Sequence, residues 1–172
     1  MNRFSLNKCW MLIPFFCFMT LSCDKDDEDV KEDSIAELQK NKEEGETFLK
    51  NLKGSEGVIS DNRGLLFRIN SKGDGLKPDA NDTVQISYSG KLIDGKFFEN
   101  EEKRVCMDEL KEGLYIGLRY MSSGANHTLY LPYYLMYGSS NETFYLQDDT
   151  VTVKGFSVVI YEMQLKEVVK VN

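Results

Sequence analysis

The pattern of this 172-residue chain predicts an α+β fold, in which an antiparallel sheet curves into a half-barrel around one short helix, with a helical extension ahead of it. Three observations carry that prediction. "TVQISYSGKL" (83–92) alternates cleanly, with Val84, Ile86 and Tyr88 on one face and Gln85, Ser87 and Ser89 on the other. That is the signature of a strand in a sheet with one wet face. "TVTVKGFSVVIYEMQLKEV" (150–168) reads as two strands, or one long bent strand with a break at Gly155, and its second half repeats the period of two, with Tyr161, Met163 and Leu165 set against Glu162 and Gln164. Between them lies the single strong helical pattern of this region, "DELKEGLYIGLRYMSSG" (108–124), in which Leu110, Leu114, Leu118 and Met121 recur at helical spacing.

From the N-terminus, residues 1–22 read as a leader. Arg3 and Lys8 precede "CWMLIPFFCFMTLS" (9–22), an uncharged run with the length of a signal-peptide core and too short to span a bilayer comfortably. Cys23 follows "TLS", and the site resembles the lipobox of bacterial lipoproteins, although Thr20 stands where Leu is usual. The resemblance implies a lipoprotein signal peptide over 1–22, cleavage before Cys23 and lipidation of Cys23; the plain alternative is a secretory signal with an incidental cysteine. It places the chain in the cell envelope, lipid-anchored at the outer membrane. The acidic stretch after Cys23 resembles an export tag of surface lipoproteins, which points to the cell surface. Cleavage removes two cations and no acid, moving the net charge from −7 to −9. A chain this acidic lacks the basic face that nucleic acid requires. It also leaves Cys106 as the one unmodified cysteine, so no internal disulfide and no thiol metal site is expected.

Residues 23–34 form a charge run that reads as a solvated acidic tether. Residues 35–56 read as a mostly exposed helical extension, with a stripe of Ile35, Leu38, Phe48, Leu49 and Leu52 interrupted by Gly45. A dimerising arm is the functional alternative. The β region then occupies 57–172. "LLFRIN" (65–70) alternates, turn signals crowd 71–82, and "HTLYLP" (127–132) reads as a strand ending at Pro132. In the helix, Asp108 is placed as cap and Gly124 as terminator, while Gly113 and Gly117 thin one side for close approach to the sheet. Residues 138–155 read as a long loop.

No covalent catalytic constellation is visible, and one His excludes chemistry built on several. His127, lacking a nucleophile partner, reads as a surface or turn residue. The acids 99, 101, 102, 108, 109 and 112 read as a solvated loop and helix start. Aromatics stand out instead, thirteen of them between Tyr88 and Tyr161. Most belong to a core.

The pieces "GLLFRI", "GDGLKPDANDTVQISYSGKLIDGKFFEN", "MSSG", "LYLP..LMYG" and "VVIYEMQL" resemble, in order, the FKBP-type peptidyl-prolyl isomerases, over Gly64 to Val168. The resemblance implies an FKBP-like domain that binds X-Pro segments of exported proteins in an apolar aromatic pocket and needs no cofactor or metal. It places Tyr88, Phe98, Tyr137 and Tyr161 in the pocket wall and Glu99 where Asp is usual. Leu110 and Lys111 fall where a Val-Ile pair offers a backbone N–H, and Leu114 where a Trp forms the floor. The 99–109 stretch is shorter than usual, with Val105 and Met107 standing in for its aromatics. Phe144, Tyr145 and Leu146 stand near the missing loop tip. These departures make a catalytically weak binding or chaperone module the alternative reading. Phe98 beside Tyr88 requires an odd-length turn. A three-residue Ile-Asp-Gly loop, with Gly95 left-handed in a bulge, supplies it.

Overall fold

The computed structural model describes residues 26–171, so the leader and Cys23 lie outside the described residues. Helix α1 (Asp26–Leu52) leads into β1 (Val58–Ser60), β2 (Leu66–Ser71), β3 (Thr83–Leu92) and β4 (Phe97–Cys106). A 3₁₀ turn (Met107–Glu109), helix α2 (Glu112–Arg119) and β5 (Asn126–Leu131) follow. A second 3₁₀ turn (Tyr133–Leu135), the hairpin β6 (Glu142–Tyr145) and β7 (Thr150–Val153), and β8 (Val159–Val169) complete the chain. Six strands form one antiparallel sheet in the order β1-β2-β5-β8-β3-β4, while β6 and β7 pair with each other. This is the predicted α+β architecture, an open sheet wrapped around a helix.

The alternating strands set the inner face. Val84, Ile86 and Tyr88 of β3 are buried, as are Val159, Tyr161, Met163 and Leu165 of β8. Leu114, Ile116 and Leu118 of α2 meet them, and burying each large apolar side chain contributes about 1.5–3 kcal/mol. The two helix glycines permit that approach. A Cβ on Gly117 would stand 2.4 Å from a methyl of Leu129, and one on Gly113 2.6 Å from a methyl of Leu131, both on β5.

The helix itself is shorter than its sequence pattern. Leu110 and Lys111 are extended (ψ 150° and 145°), so Asp108 lies in the preceding 3₁₀ turn and caps nothing. At the other end α2 stops at Arg119, and Gly124 (φ +89°) turns the chain toward β5 with its N–H on the Leu165 carbonyl. The extended pair turns the chain between the 3₁₀ turn and α2, and this brings Leu110 to the cavity described below.

Other expectations are also revised. The acidic tether is helical from Asp26 onward. Gly45 does not break α1; it is buried on the docking face, where a Cβ would come within 2.7 Å of Val158 Cγ2. Phe48 packs on Tyr130 at 6.2 Å between ring centroids, which fixes the extension on the domain. The segment read as a long loop contains the β6–β7 hairpin: β7 is the alternating TVTV already read as strand, whereas β6, ETFY, shows no period.

His127 is no surface residue. It sits on β5 opposite Ile69 and Met163, 2% exposed, and stacks on Phe67 at 5.7 Å. Its Nδ1 has no hydrogen-bond partner, and burial pulls its pKa below the usual 6.5. The unfolded chain therefore takes up this proton first as pH falls. His127 favours the folded state fully above the unfolded value and progressively less below it, toward the folded pKa. Thermal melts are expected to show the wild type losing stability as pH drops below about 6.5, the ordinary His value. A His127→Phe variant should lose that part of the slope; an unchanged slope would contradict the assignment.

Candidate functional site

The site is built by one irregularity in the β3–β4 hairpin. Leu92 N–H donates to the Lys96 carbonyl (2.9 Å) and Gly95 N–H to the Leu92 carbonyl (3.0 Å), with Gly95 at φ +90°. The loop is thus the predicted Ile93-Asp94-Gly95. Gly95 takes the left-handed conformation expected of it, and a second bulge lies further along. Lys91 pairs with Phe97 and Gly90 with Glu99, so Phe98 is the unpaired extra residue.

In a regular strand Phe98 and Glu99 would point to opposite faces. The bulge brings both inward. Phe98 is fully buried and Phe97 is 56% exposed. Beyond the bulge, Glu101, Lys103 and Val105 fall on the inner side, while Glu102 and Arg104 reach Lys166 and Glu167 on the outer side. Gly90 makes room for the shift. A Cβ there would sit 2.7 Å from Phe98 Cζ and 3.1 Å from Tyr161 Cζ.

Six parts of the chain enclose a cavity of about 340 Å³. Tyr88 and Tyr161 come from the central strands, and Glu99, Lys103 and Val105 from β4. Leu110 and Lys111 come from the approach to α2 and Leu114 from α2 itself, Met136 and Tyr137 from the turn after β5, and Glu142 and Phe144 from the hairpin. Its walls are aromatic. Phe144 lies 4.8 Å from Phe98 and 5.7 Å from Tyr137, and Phe98 meets Tyr161 edge-on at 5.8 Å. Phe98 supports the wall from behind. Met107 is fully buried in the core and does not reach the cavity, so its expected place in the pocket is corrected. Tyr145, 84% exposed, also lies outside it.

The polar part of the wall is one connected network. Tyr88 OH lies 3.0 Å from Glu99 Oε1 and 2.9 Å from Glu101 Oε2. Tyr161 OH donates to Glu99 Oε2 at 2.5 Å, and the Tyr137 and Tyr161 hydroxyls are 2.7 Å apart. Burial above all pushes the three phenols far above their usual range, so they stay protonated. Lys103 pairs with Glu101 at 3.0 Å, and that hydrogen bond, followed by the one from Tyr88, holds the Glu101 carboxyl below the usual range. Two cations lie on the aromatic walls, Lys103 Nζ 5.2 Å over Tyr88 and Lys111 Nζ 4.8 Å over Tyr137. At the lip, Leu110 N–H donates to the Met107 carbonyl, while Lys111 N–H makes no backbone hydrogen bond. No group of three His, Cys, Asp or Glu among the described residues could hold a metal ion.

The profile of the FKBP-type peptidyl-prolyl cis-trans isomerase family matches residues 75–166, the segment that carries this cavity. The chain belongs to that family. Among curated FKBP relatives it is 32% identical over 107 residues to a probable FKBP-type peptidyl-prolyl cis-trans isomerase FkpA of Neisseria meningitidis, covering 59% of this chain and 39% of the relative. It is 30% identical over 129 residues to the outer membrane protein MIP of Legionella longbeachae, covering 67% and 55%. The chain thus spans about half the length, or less, of these two relatives. The crystal structure of FkpA from Escherichia coli superposes with a TM-score of 0.71 over 83% of this chain and 65% of that one, at 24% identity, a likeness of fold.

Within this FKBP-type domain the structure brings together Tyr88, Glu99, Leu110, Lys111, Leu114, Tyr137 and Tyr161 around one cavity, with Phe98 directly behind. Sequence reasoning missed the inward roles of Glu101 and Lys103, and it missed Met136 and Glu142 altogether. The acids at 99 and 101 form part of the wall and not a solvated loop. Continuing the alternation from Glu99 would have flagged Glu101 and Lys103, had the bulge been placed at Phe98. Gly90→Ala is expected to force the Phe98 ring aside and cost about 1–3 kcal/mol, read by chemical denaturation; a variant as stable as wild type would show that the bulge does not depend on Gly90.

Proposed function

We propose that this chain is a peptidyl-prolyl cis-trans isomerase that binds X-Pro segments of exported proteins. The observation that carries the reading is the aromatic cavity over Leu114, bordered by Lys111 with its unpaired N–H. Rotation of a peptide bond removes amide resonance against a barrier of roughly 18–20 kcal/mol. The twisted amide is less polar than the planar one. An apolar pocket with few donors therefore favours the twisted state, and the rate rises by differential binding without a nucleophile. In this scheme Tyr88, Phe98, Tyr137 and Tyr161 form the wall and Glu99 orients two of the phenols. Leu110 and Leu114 hold the proline ring, and Lys111 N–H donates to the peptide carbonyl.

One feature favours a second reading, a binding module with weak catalysis. Leu114 is a small floor, and the rim carries Lys103, Glu109, Lys111 and Glu142. The measurement is isomerisation of an X-Pro peptide by the purified protein. Acceleration over buffer is expected. Phe144→Ala should lower kcat/KM about tenfold, equal to about 1.4 kcal/mol, with little change in melting temperature because Phe144 lies on the separate hairpin. A folded wild type no faster than buffer would sink the isomerase reading and leave the binding one.

We place the protein in the cell envelope, anchored through a lipid on Cys23. The leader pattern supports this, and one relative is named an outer membrane protein. Cys23→Ala is expected to release the protein into the soluble fraction; persistent membrane association would refute the anchor.

A further inference from the structure

We infer that Tyr161 is a positioning residue that holds the Tyr137 hydroxyl hydrogen inside the wall, away from a bound peptide. The inference rests on the isomerase reading of the cavity and goes beyond it by asking which way the hydrogens point. Each phenol has one hydrogen to give, and a carboxylate only accepts. Tyr161 gives its hydrogen to Glu99 Oε2 at 2.5 Å. At its 2.7 Å contact with Tyr137 the Tyr161 oxygen must therefore accept, and Tyr137 must donate. The Tyr88 hydrogen is claimed by Glu99 and Glu101, both within 3.0 Å. All three phenol hydrogens thus run toward the carboxylates.

Burial decides which of the three matters to a ligand. All three line the cavity, but Tyr88 is 3% exposed and Tyr161 fully buried, so neither hydroxyl can turn outward, whereas Tyr137 is half-buried. Tyr137 is the one phenol able to meet a peptide carbonyl, and in this arrangement it offers a lone pair to a group that needs a donor. A peptide that takes the Tyr137 hydrogen leaves the buried Tyr161 oxygen without it, and a buried polar atom left unpaired is costly. Tyr161 thereby weakens peptide capture. Its ring is not responsible, since the edge-on contact with Phe98 survives loss of the hydroxyl.

The test is steady-state isomerisation of an X-Pro peptide by the full-length wild type, Tyr161→Phe, Tyr137→Phe and the double variant. Tyr161→Phe is expected to lower KM by about three- to tenfold, the range of one modest hydrogen bond, with kcat little changed. The gain should vanish when the same change is made in the Tyr137→Phe background. An unchanged or raised KM in a folded Tyr161→Phe protein, or an equal gain without the Tyr137 hydroxyl, would overturn the inference. If no protein accelerates the peptide, the isomerase reading fails. Titrating the same peptide against the same variants then decides the positioning role by the same pattern of affinities. Should Tyr161→Phe not fold, the wild type alone is decisive. Its Tyr137 hydroxyl hydrogen is expected as a slowly exchanging NMR resonance without ligand, and rapid exchange with water would refute the arrangement.

Discussion

One extra residue in β4, accommodated by one glycine in β3, sets the character of the site. With Phe98 bulged opposite the Gly90–Lys91 step, the side-chain alternation of β4 changes phase. Without that change Glu99, Glu101, Lys103 and Val105 would face solvent, and the wall opposite α2 would be formed by Asn100, Glu102 and Arg104. The aromatic ring and the carboxylate enter the same cavity because a bulge is the one local device that places neighbouring residues on one side of a strand. Gly90 is its counterpart, since any side chain there would occupy the space of the Phe98 ring.

The second constraint is electrostatic. Glu99 reaches into a wall of buried rings, and a carboxylate in such a place must be hydrogen-bonded. Two phenols supply those bonds and are held protonated by the same burial. The network stiffens the wall and gives the cavity its polar side, opposite the apolar Leu110 and Leu114. Lys103 balances Glu101, and Lys111 lies on the Tyr137 ring, so charge surrounds the mouth and spares the floor.

The strands were largely legible because half-buried sheets keep a strict period of two, and β3 falls on its predicted residues to the letter. Phe98 was also legible, through the parity of a three-residue turn. The helix boundaries were not. The apolar spacing from Leu110 to Met121 suits a continuous helix, and nothing local reveals that Leu110 and Lys111 are extended. His127 was misplaced because a lone polar residue beside a turn signal looks exposed, whereas its burial depends on Phe67 from a strand 60 residues earlier. Met107 shares its stretch with Val105 and Leu110, yet points into the core, which sequence spacing alone does not distinguish.

By itself, the amino-acid sequence determined the α+β class, the alternating strands, the turn that sends Phe98 inward, and the aromatic composition of a pocket wall. Those properties follow from local periodicity and turn chemistry, which act over a few residues. Only the tertiary structure decided that Phe98 and Glu99 share a face, that Glu101 joins Tyr88, and that the hydroxyls of Tyr137 and Tyr161 meet. Each of these depends on register between strands distant in the chain, and register is set by packing across the sheet.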